Sequence, residues 1–390
     1  MADEPKLAAA ISLPTNFKIE EIVSRTNVPG LPPVHVTVPP DLGPLAAFVG
    51  NWHGNGFNTI FRPNSKATPT PLPRPVGGDN ILELNLTSET LSFSSSLGSV
   101  PNRGMVQGDI FLNGVPYLQS INDITVPDKP VGIHLEPGLW VIVPATTQPA
   151  ESVSLVRMAS IPHGTTVLAQ GTATVINGAP HIPAVDITPF VTGSPGNKIH
   201  FPSQTAATEG TARLPQDLAP FIAAGTITQA MLTDPNSVLR DHIAGQTITS
   251  TTQISISTSP AAPLFGGGAE NIAFLLGQQS PQPHPNARTV NMTATFWIET
   301  VEHKIVLPPH LVPAVPLQVK PRLAHPLQPV PTFTITPPQG ITVPAGHTLT
   351  VKTKQIQYTQ TVLLDFNGLT WPHVSVATLV PAGAIPVGWA

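Results

Sequence analysis

Short segments in which apolar and polar residues alternate recur along much of this chain. Between residues 44 and 176 they follow one another closely, and the clearest are NWHGNGFNTIF, ILELNLTSETLSFSSS and GIHLEPGLWVIVP. A period of two puts successive side chains on opposite faces of a strand, and closely spaced strands of this kind are typical of an antiparallel meander. We therefore predict the first part of a β-barrel over 44–176, a further barrel strand over 287–304 and the final strands within 348–390.

The alternation breaks in three other parts of the chain. Residues 177–286 read as an insertion, because LPQDLAPFIAAGTITQAMLTDPNSVLRDHI carries apolar residues at helical spacing. Residues 1–43 read as a leader and proline-rich arm, with a short helix near 7–11, and 305–347 as a proline-rich excursion. Regular structure is not expected in the proline segments.

Composition supports an all-β fold. Only 10% of the residues are Asp, Glu, Lys or Arg, whereas 48 are proline. Long surface helices need charged faces, and proline is tolerated in loops and at sheet edges rather than inside helices. The predicted fold is thus an antiparallel, lipocalin-like barrel with a partly helical insertion and proline-rich loops. The net charge of −4 offers no basic surface, which argues against nucleic acid or an acidic membrane as partner.

The chain contains no cysteine, so neither a disulfide nor a thiolate metal site is expected. Its start, MADEPKLAAAISLPTNFKIEEIV, has acids at Asp3 and Glu4 and lacks the apolar run of a signal peptide. No later run approaches the length of a membrane span. We expect a soluble, cytoplasmic protein.

Glycines alternate with other residues in VGNWHGNGFNTIF, where Gly50, Trp52, Gly54 and Gly56 share one strand face. Glycine weakens a strand unless something else needs the space, so the pattern indicates a tight barrel corner or the close approach of a ligand. The residues alone favour the corner, with Trp52 plugging one end of the barrel. His53 points the other way and is expected at the surface.

A histidine and a carboxylate share a strand face in GIHLEPGLWVIVP, because His134 and Glu136 are two residues apart. Such a pair can bind a divalent metal, or act as a base with its orienting partner. It can also form a structural hydrogen bond, which the absence of an H-E-x-x-H motif or a His-x-His pair favours. Motifs for a nucleophilic serine or a phosphate loop are also absent from the sequence.

A last candidate is the strand TWPHVSVATL, in which His373, Ser375 and Ala377 share one face. If that face lines a cavity, the imidazole lies at one end of a wall of small residues, which leaves room for a bulky ligand. Taken by itself, a lone strand histidine is more often an ordinary core or surface residue.

In order along the chain, these motifs resemble those of the nitrobindin-like β-barrels, relatives of the lipocalin and fatty-acid-binding folds. The resemblance covers roughly 44–176, 287–300 and 350–380. One departure is Val141, where the family often has an arginine. The matching residues are Gly50, Trp52, Gly54 and Gly56 followed by Thr59 and Ile60; His134, Glu136 and Gly138; Pro162, Gly164 and Gly171; and the final strand from His373.

The resemblance implies haem b in the barrel, bound at the iron by His373, with an opposite iron face lined by apolar groups. It further implies that nitric oxide binds there, or that peroxynitrite is converted to nitrate, so that an enzymatic activity would be of the peroxynitrite isomerase or peroxidase kind. The cofactor-binding residues expected on this basis are His373, Thr59, Ile60, Ser375, Ala377 and His134.

Two other functions remain open at this point. Lipocalin-like barrels also carry apolar small molecules without any metal, which the shortage of charged and aromatic residues and the valine at 141 would suit. Alternatively, the barrel is a filled scaffold, and the proline-rich arms join copies of the chain into a homo-oligomer.

Overall fold

The computed structural model describes residues 41–261, 264, 267–272, 286–307, 315–323, 325–337 and 347–387. Within these residues, ten antiparallel strands form a closed barrel, which confirms the predicted all-β class. Each strand pairs with the next one along the chain, and the tenth pairs with the first. The strands are β1 (Gly50–Pro63), β2 (Asn80–Phe93), β3 (Ile110–Asp123), β4 (Val131–Val143), β5 (Ser154–Ser160), β6 (Thr165–Asn177), β7 (Thr247–Ser257), β8 (Arg288–Val306), β9 (Thr348–Phe366) and β10 (Leu369–Pro381).

The seam between β1 and β10 explains the alternating glycines. Gly54 lies opposite Leu379 and Gly56 opposite Ala377 in the register. A Cβ on Gly54 would lie 1.9 Å from the backbone oxygen of Thr378, and one on Gly56 would meet the backbone of β10 as closely. Backbone of β10 fills the space beside both glycines. They permit the close approach of two strands, in line with the predicted barrel corner.

One end of the barrel is filled by aromatic side chains. A 3₁₀ helix, Gly43–Phe48, brings Phe48 into the core, where its ring stacks on Phe93 with centroids 4.7 Å apart. The indole nitrogen of Trp52 donates to the backbone oxygen of Phe48 at 2.8 Å. Trp52 is therefore part of a plug at this end, as the sequence predicts.

The long excursion between β6 and β7 covers the outside of the barrel. It contains α1 (Ala219–Ala224), α2 (Gln229–Thr233) and α3 (Ser237–Ile243), all within the stretch predicted to be helical. Its other elements are short: strands Phe190–Val191, Ser194–Lys198 and Arg213–Leu214, and a 3₁₀ helix Pro202–Gln204. Their apolar side chains pack with outward-facing residues of the barrel, among them Phe57, Phe61 and Trp371. The excursion thus forms a second core on the barrel's flank.

The predicted insertion, 177–286, is too long at its C-terminal side. Its residues 247–257 are the barrel strand β7, and Gly268–Asn271 pairs with β6. The sequence of β7, TITSTTQISIS, is rich in Ser and Thr, and its buried apolar residues are Ile254 and Ile256. Pairing with β6 and β8 holds this strand in place. Its two buried isoleucines are too weak a hydrophobic pattern to predict a strand from the sequence.

The described part of the proline-rich excursion packs on the same chain. Leu317–Val319 and Phe333–Ile335 form a small sheet with Ile385–Val387, next to a buried apolar cluster that includes Ile305 and Leu349. Other short strands are Val100–Asn102, Thr146–Thr147 and Ala150–Glu151. The leader as far as residue 40, with its predicted helix, lies outside the described residues. Among the residues described, no helix has the length and apolar character needed to cross a membrane.

Candidate functional site

A cavity of about 470 Å³ occupies the barrel interior at the end away from the Phe48 plug. Amide, imidazole and hydroxyl side chains line part of it. Aliphatic side chains line another part, namely Ile60, Ile121, Ile133, Ile161, Val362 and Leu364. The cavity can thus take a ligand with both apolar and polar surface.

His373 lies on β10 in the wall of this cavity, and an amide holds its ring. The Asn58 amide nitrogen is 2.8 Å from Nε2 of His373 and 2.7 Å from Oγ of Ser375. The Oδ1 atom of Asn58 accepts from Asn85 at 3.2 Å, so its nitrogen is the atom that faces the histidine. Nε2 therefore accepts a hydrogen bond and carries no proton. Burial, and next the neighbouring His134 and His163, lower the pKa of His373 to about 4, so its imidazole is neutral at pH 7.

Two further histidines lie across the barrel from His373. His134 is on β4 and His163 is in the turn between β5 and β6; their rings meet edge to face with centroids 5.1 Å apart. Nε2 of His134 lies 3.1 Å from Oε2 of Glu136, which confirms the predicted structural hydrogen bond. The wall opposite His373 thus carries imidazoles, where the resemblance implied apolar groups only.

A buried ion pair lies beneath His134. Glu136 accepts hydrogen bonds from Arg157 Nη2 and from the Tyr117 hydroxyl, and Arg157 Nε donates to the same hydroxyl at 2.8 Å. The third guanidinium nitrogen, Nη1, donates to Gln360 at 2.7 Å. Burial alone would raise the pKa of Glu136, but the charge of Arg157 and the hydrogen bonds hold it below its ordinary value. Glu136 is ionised at neutral pH and fixes the ring of His134 from below.

A second buried carboxylate lies beside this pair, and no cationic side chain of the described residues forms an ion pair with it. Glu89 on β2 accepts from Gln119 Nε2 at 2.7 Å and from the Tyr358 hydroxyl at 2.7 Å. Both Gln119 and Tyr358 also line the cavity. Burial raises the pKa of Glu89 to about 7, although these two hydrogen bonds oppose the change. The carboxyl group of Glu89, whose pKa lies near neutral pH, is thus hydrogen-bonded to two side chains of the cavity surface.

The predicted site residues fall into three groups. His373, Ser375, Ile60 and His134 all line the cavity. Thr59 lies between two residues that face inward, Asn58 and Ile60, so its side chain is on the outer face of β1. Ala377 is inside the barrel opposite Gly56, farther along β10 and away from the cavity lining. His53 is exposed, as expected.

Motif-based reasoning missed several polar residues of this site. These are Asn58, Glu89, Gln119, Arg157 and Tyr358. The sequence contains one indication of such residues: each is polar but lies on a strand face whose other residues are mostly apolar. Arg157 in SLVRMAS is an example, because it shares a face with Leu155 and Ala159. A polar residue at an inward position of a strand is worth testing as a site residue, because burial requires it to have a partner.

A second cavity, of about 650 Å³, lies on the barrel flank between β2 and residues 209–217. The first half of β2 pairs with Arg213–Leu214 from the excursion, because its pairing with β3 begins only at Thr87. Glu83, Asn85 and Ile133 line both cavities. These three residues therefore lie between the interior cavity and the flank cavity.

Within the described residues, no group of three or more His, Asp or Glu side chains is arranged to hold a metal ion. A haem iron needs only an axial ligand from the protein, and His373 could supply it. The closed ten-stranded barrel is compatible with lipocalin and fatty-acid-binding architecture. Comparison with protein-family models, with curated proteins and with solved structures gave no match for this chain.

Proposed function

We propose that this protein binds one haem b in the barrel cavity, with His373 as the axial ligand of the iron. The observation that carries the proposal is the neutral imidazole of His373 in the wall of a cavity of about 470 Å³. That volume lies within the range of roughly 300–1,000 Å³ usual for ligand and cofactor sites.

The state of the His373 ring supports this assignment. Metal ligation requires an unprotonated nitrogen, and Nε2 of His373 already accepts a hydrogen bond from Asn58. Iron would take the place of that hydrogen bond. Asn58 would still have Ser375 and Asn85 as partners, so losing its contact with His373 leaves its amide satisfied.

The opposite wall supports a role in binding small molecules at the haem. When bound, the haem would supply an iron that takes up nitric oxide or converts peroxynitrite to nitrate. His134 and His163 face this region, and Glu136 holds His134 in one orientation. Their imidazoles offer hydrogen bonds to a small ligand on that side.

A hemin titration followed by absorption spectroscopy tests the proposal on untagged protein. We expect a sharp Soret band that saturates at one hemin per chain and is lost in His373→Ala. The exposed His53→Ala serves as the matched control and should leave the band unchanged. Broad, non-saturating absorbance, or a band that survives in His373→Ala, would refute haem binding at this site.

The Asn58 contact also favours a second candidate, a carrier of an apolar small molecule without haem. In that case the hydrogen bond to Nε2 is the resting partner of His373, and the aliphatic wall around Ile121 and Leu364 provides the affinity. Mass spectrometry of an organic extract from purified protein distinguishes the two functions. A co-purified apolar molecule, no iron, and unchanged ligand content in His373→Ala would support the carrier.

A further inference from the structure

Two buried carboxylates and one guanidinium lie behind the cavity lining, in contact with lining residues. Arg157 directs Nη2 to Glu136, Nε to Tyr117 and Nη1 to Gln360, and among the described residues Glu89 has no ion-pair partner. Glu89 is only 3% exposed and Glu136 is fully buried. Because their surroundings differ, the two carboxyl groups have different proton affinities. Glu136, beside Arg157, stays an anion, whereas Glu89 can take up a proton.

The contacts of Glu89 determine where its proton would go. Its Oε1 faces an N–H of Gln119, which can only donate, whereas its Oε2 faces the hydroxyl of Tyr358, which can donate or accept. When Glu89 is ionised, Tyr358 donates to it. When Glu89 is protonated, its O–H donates to the Tyr358 oxygen, and the hydrogen of Tyr358 is free to point into the cavity that Tyr358 lines.

We propose that Glu89 acts as a positioning residue, because its protonation turns the Tyr358 hydroxyl towards the cavity. A ligand that accepts a hydrogen bond from Tyr358 then binds together with one proton, which Glu89 takes up. The proton comes from hydronium in the solvent: one O–H bond of the hydronium breaks, leaving water, as one O–H bond forms on Glu89, and no other covalent bond changes. The ligands favoured in this way are anionic or carry an acceptor oxygen, because protonation removes a negative charge from beneath them. Hemin, whose carboxylates are such acceptors, is a suitable probe, and this part of the inference rests on the proposed haem function.

The groups around Glu89 keep their own charge states in the neutral pH range. Glu136 stays ionised beside Arg157, which stays charged. Burial raises the pKa of both Tyr117 and Tyr358 above the ordinary tyrosine value, so both are neutral. Glu89, with its pKa raised to about 7 by burial, is the member of this set expected to titrate there.

The chain contains only two tyrosines, which allows a direct test on the ligand-free protein. In protein labelled at the tyrosine Cζ carbon, carbon NMR gives two resonances, and Tyr358→Phe assigns them. We expect the Tyr358 resonance to move between pH 5 and pH 9 with a midpoint near 7. In Glu89→Gln, whose amide donates to Tyr358 as a protonated acid does, the resonance should stay at its low-pH position.

Glu151→Gln is the control, because Glu151 belongs to the short strand Ala150–Glu151 and is not among the residues that line the cavity. The Tyr358 titration should persist in this variant. A wild-type Tyr358 resonance that does not move with pH would overturn the inference, as would a titration that persists in Glu89→Gln. The wild-type measurement is decisive even if Glu89→Gln fails to fold.

Hemin affinity tests the coupling to ligand binding. If hemin requires protonated Glu89, affinity should be about tenfold weaker at pH 8 than at pH 6, and Glu89→Gln should remove that difference while Glu151→Gln retains it. Equal pH dependence in Glu89→Gln and wild type would refute the coupling. Failure of hemin to bind any variant would refute the haem proposal and the hemin coupling, and the tyrosine titration would then decide the role of Glu89 separately.

Discussion

The amide nitrogen of Asn58 lies 2.8 Å from Nε2 of His373, although 315 positions separate the two residues in the chain. Closure of the barrel brings them together, because β1 and β10 are neighbours only at the seam. The contact gives His373 a defined ring orientation and leaves Nε2 as an acceptor. The orientation of the His373 ring is thereby set by a residue at the other end of the barrel sequence.

Replacing Asn58 tests whether this hydrogen bond competes with a ligand. We expect Asn58→Ala to bind hemin about fivefold more tightly than wild type, because a net hydrogen bond contributes about 1 kcal/mol and the variant no longer has to break it. Hemin titration measures the difference. Loss of binding in Asn58→Ala would instead mean that Asn58 is needed to orient His373.

The ion pair between Glu136 and Arg157 should be costly to break. We expect Arg157→Met to lower the free energy of unfolding by about 3–5 kcal/mol, because it leaves Glu136 charged and buried without its cation. Urea denaturation measures this loss. The double variant Glu136→Gln with Arg157→Met should recover much of it, and a double variant as unstable as the single one would contradict this explanation.

The glycines at the seam should not tolerate a side chain. We expect Gly54→Ala to lower the free energy of unfolding by about 3 kcal/mol or more, since its Cβ would lie 1.9 Å from the Thr378 carbonyl oxygen in the pairing strand. Gly196→Ala, where a Cβ meets nothing within 4 Å, is the control and should change stability by about 0.5 kcal/mol or less. Equal stability of the two variants in denaturation would show that the seam can move apart.

Glu299 should make stability depend on pH. It is fully buried under the flanking excursion, accepts from Gln355 at 2.6 Å, and burial raises its pKa from 4.5 to about 8. A folded-state pKa above the unfolded value gives stability that is fully present below about pH 4.5 and is lost as the pH rises through 8. Each pH unit in this window removes up to about 1.4 kcal/mol.

Thermal unfolding at pH 5 and pH 8 measures this effect. The variant Glu299→Gln keeps an acceptor for Gln355 and cannot ionise, so it should lose less stability than wild type on going from pH 5 to pH 8. Glu89 contributes in the same direction, and part of the dependence should therefore remain. Equal pH dependence in the variant and the wild type would contradict a protonated Glu299.

Much of the fold follows from the sequence alone. Alternating strands predict the all-β class, and the shared face of His373, Ser375 and Ala377 points into the barrel as their spacing requires. His134 and Glu136 likewise share a face and form the hydrogen bond expected of them. These features depend on the period of the strand, which is local and therefore readable from neighbouring residues.

Other features were decided only when the barrel closed. Strand β7 needed its partners, because its own hydrophobic signal is short, and Arg157 became the partner of Glu136 through the pairing of β4 with β5. The Asn58–His373 and Glu89–Tyr358 contacts join residues from opposite ends of the chain. Periodicity assigns a side chain to a face, but the partner it meets there depends on strand order and register, which are properties of the whole sheet.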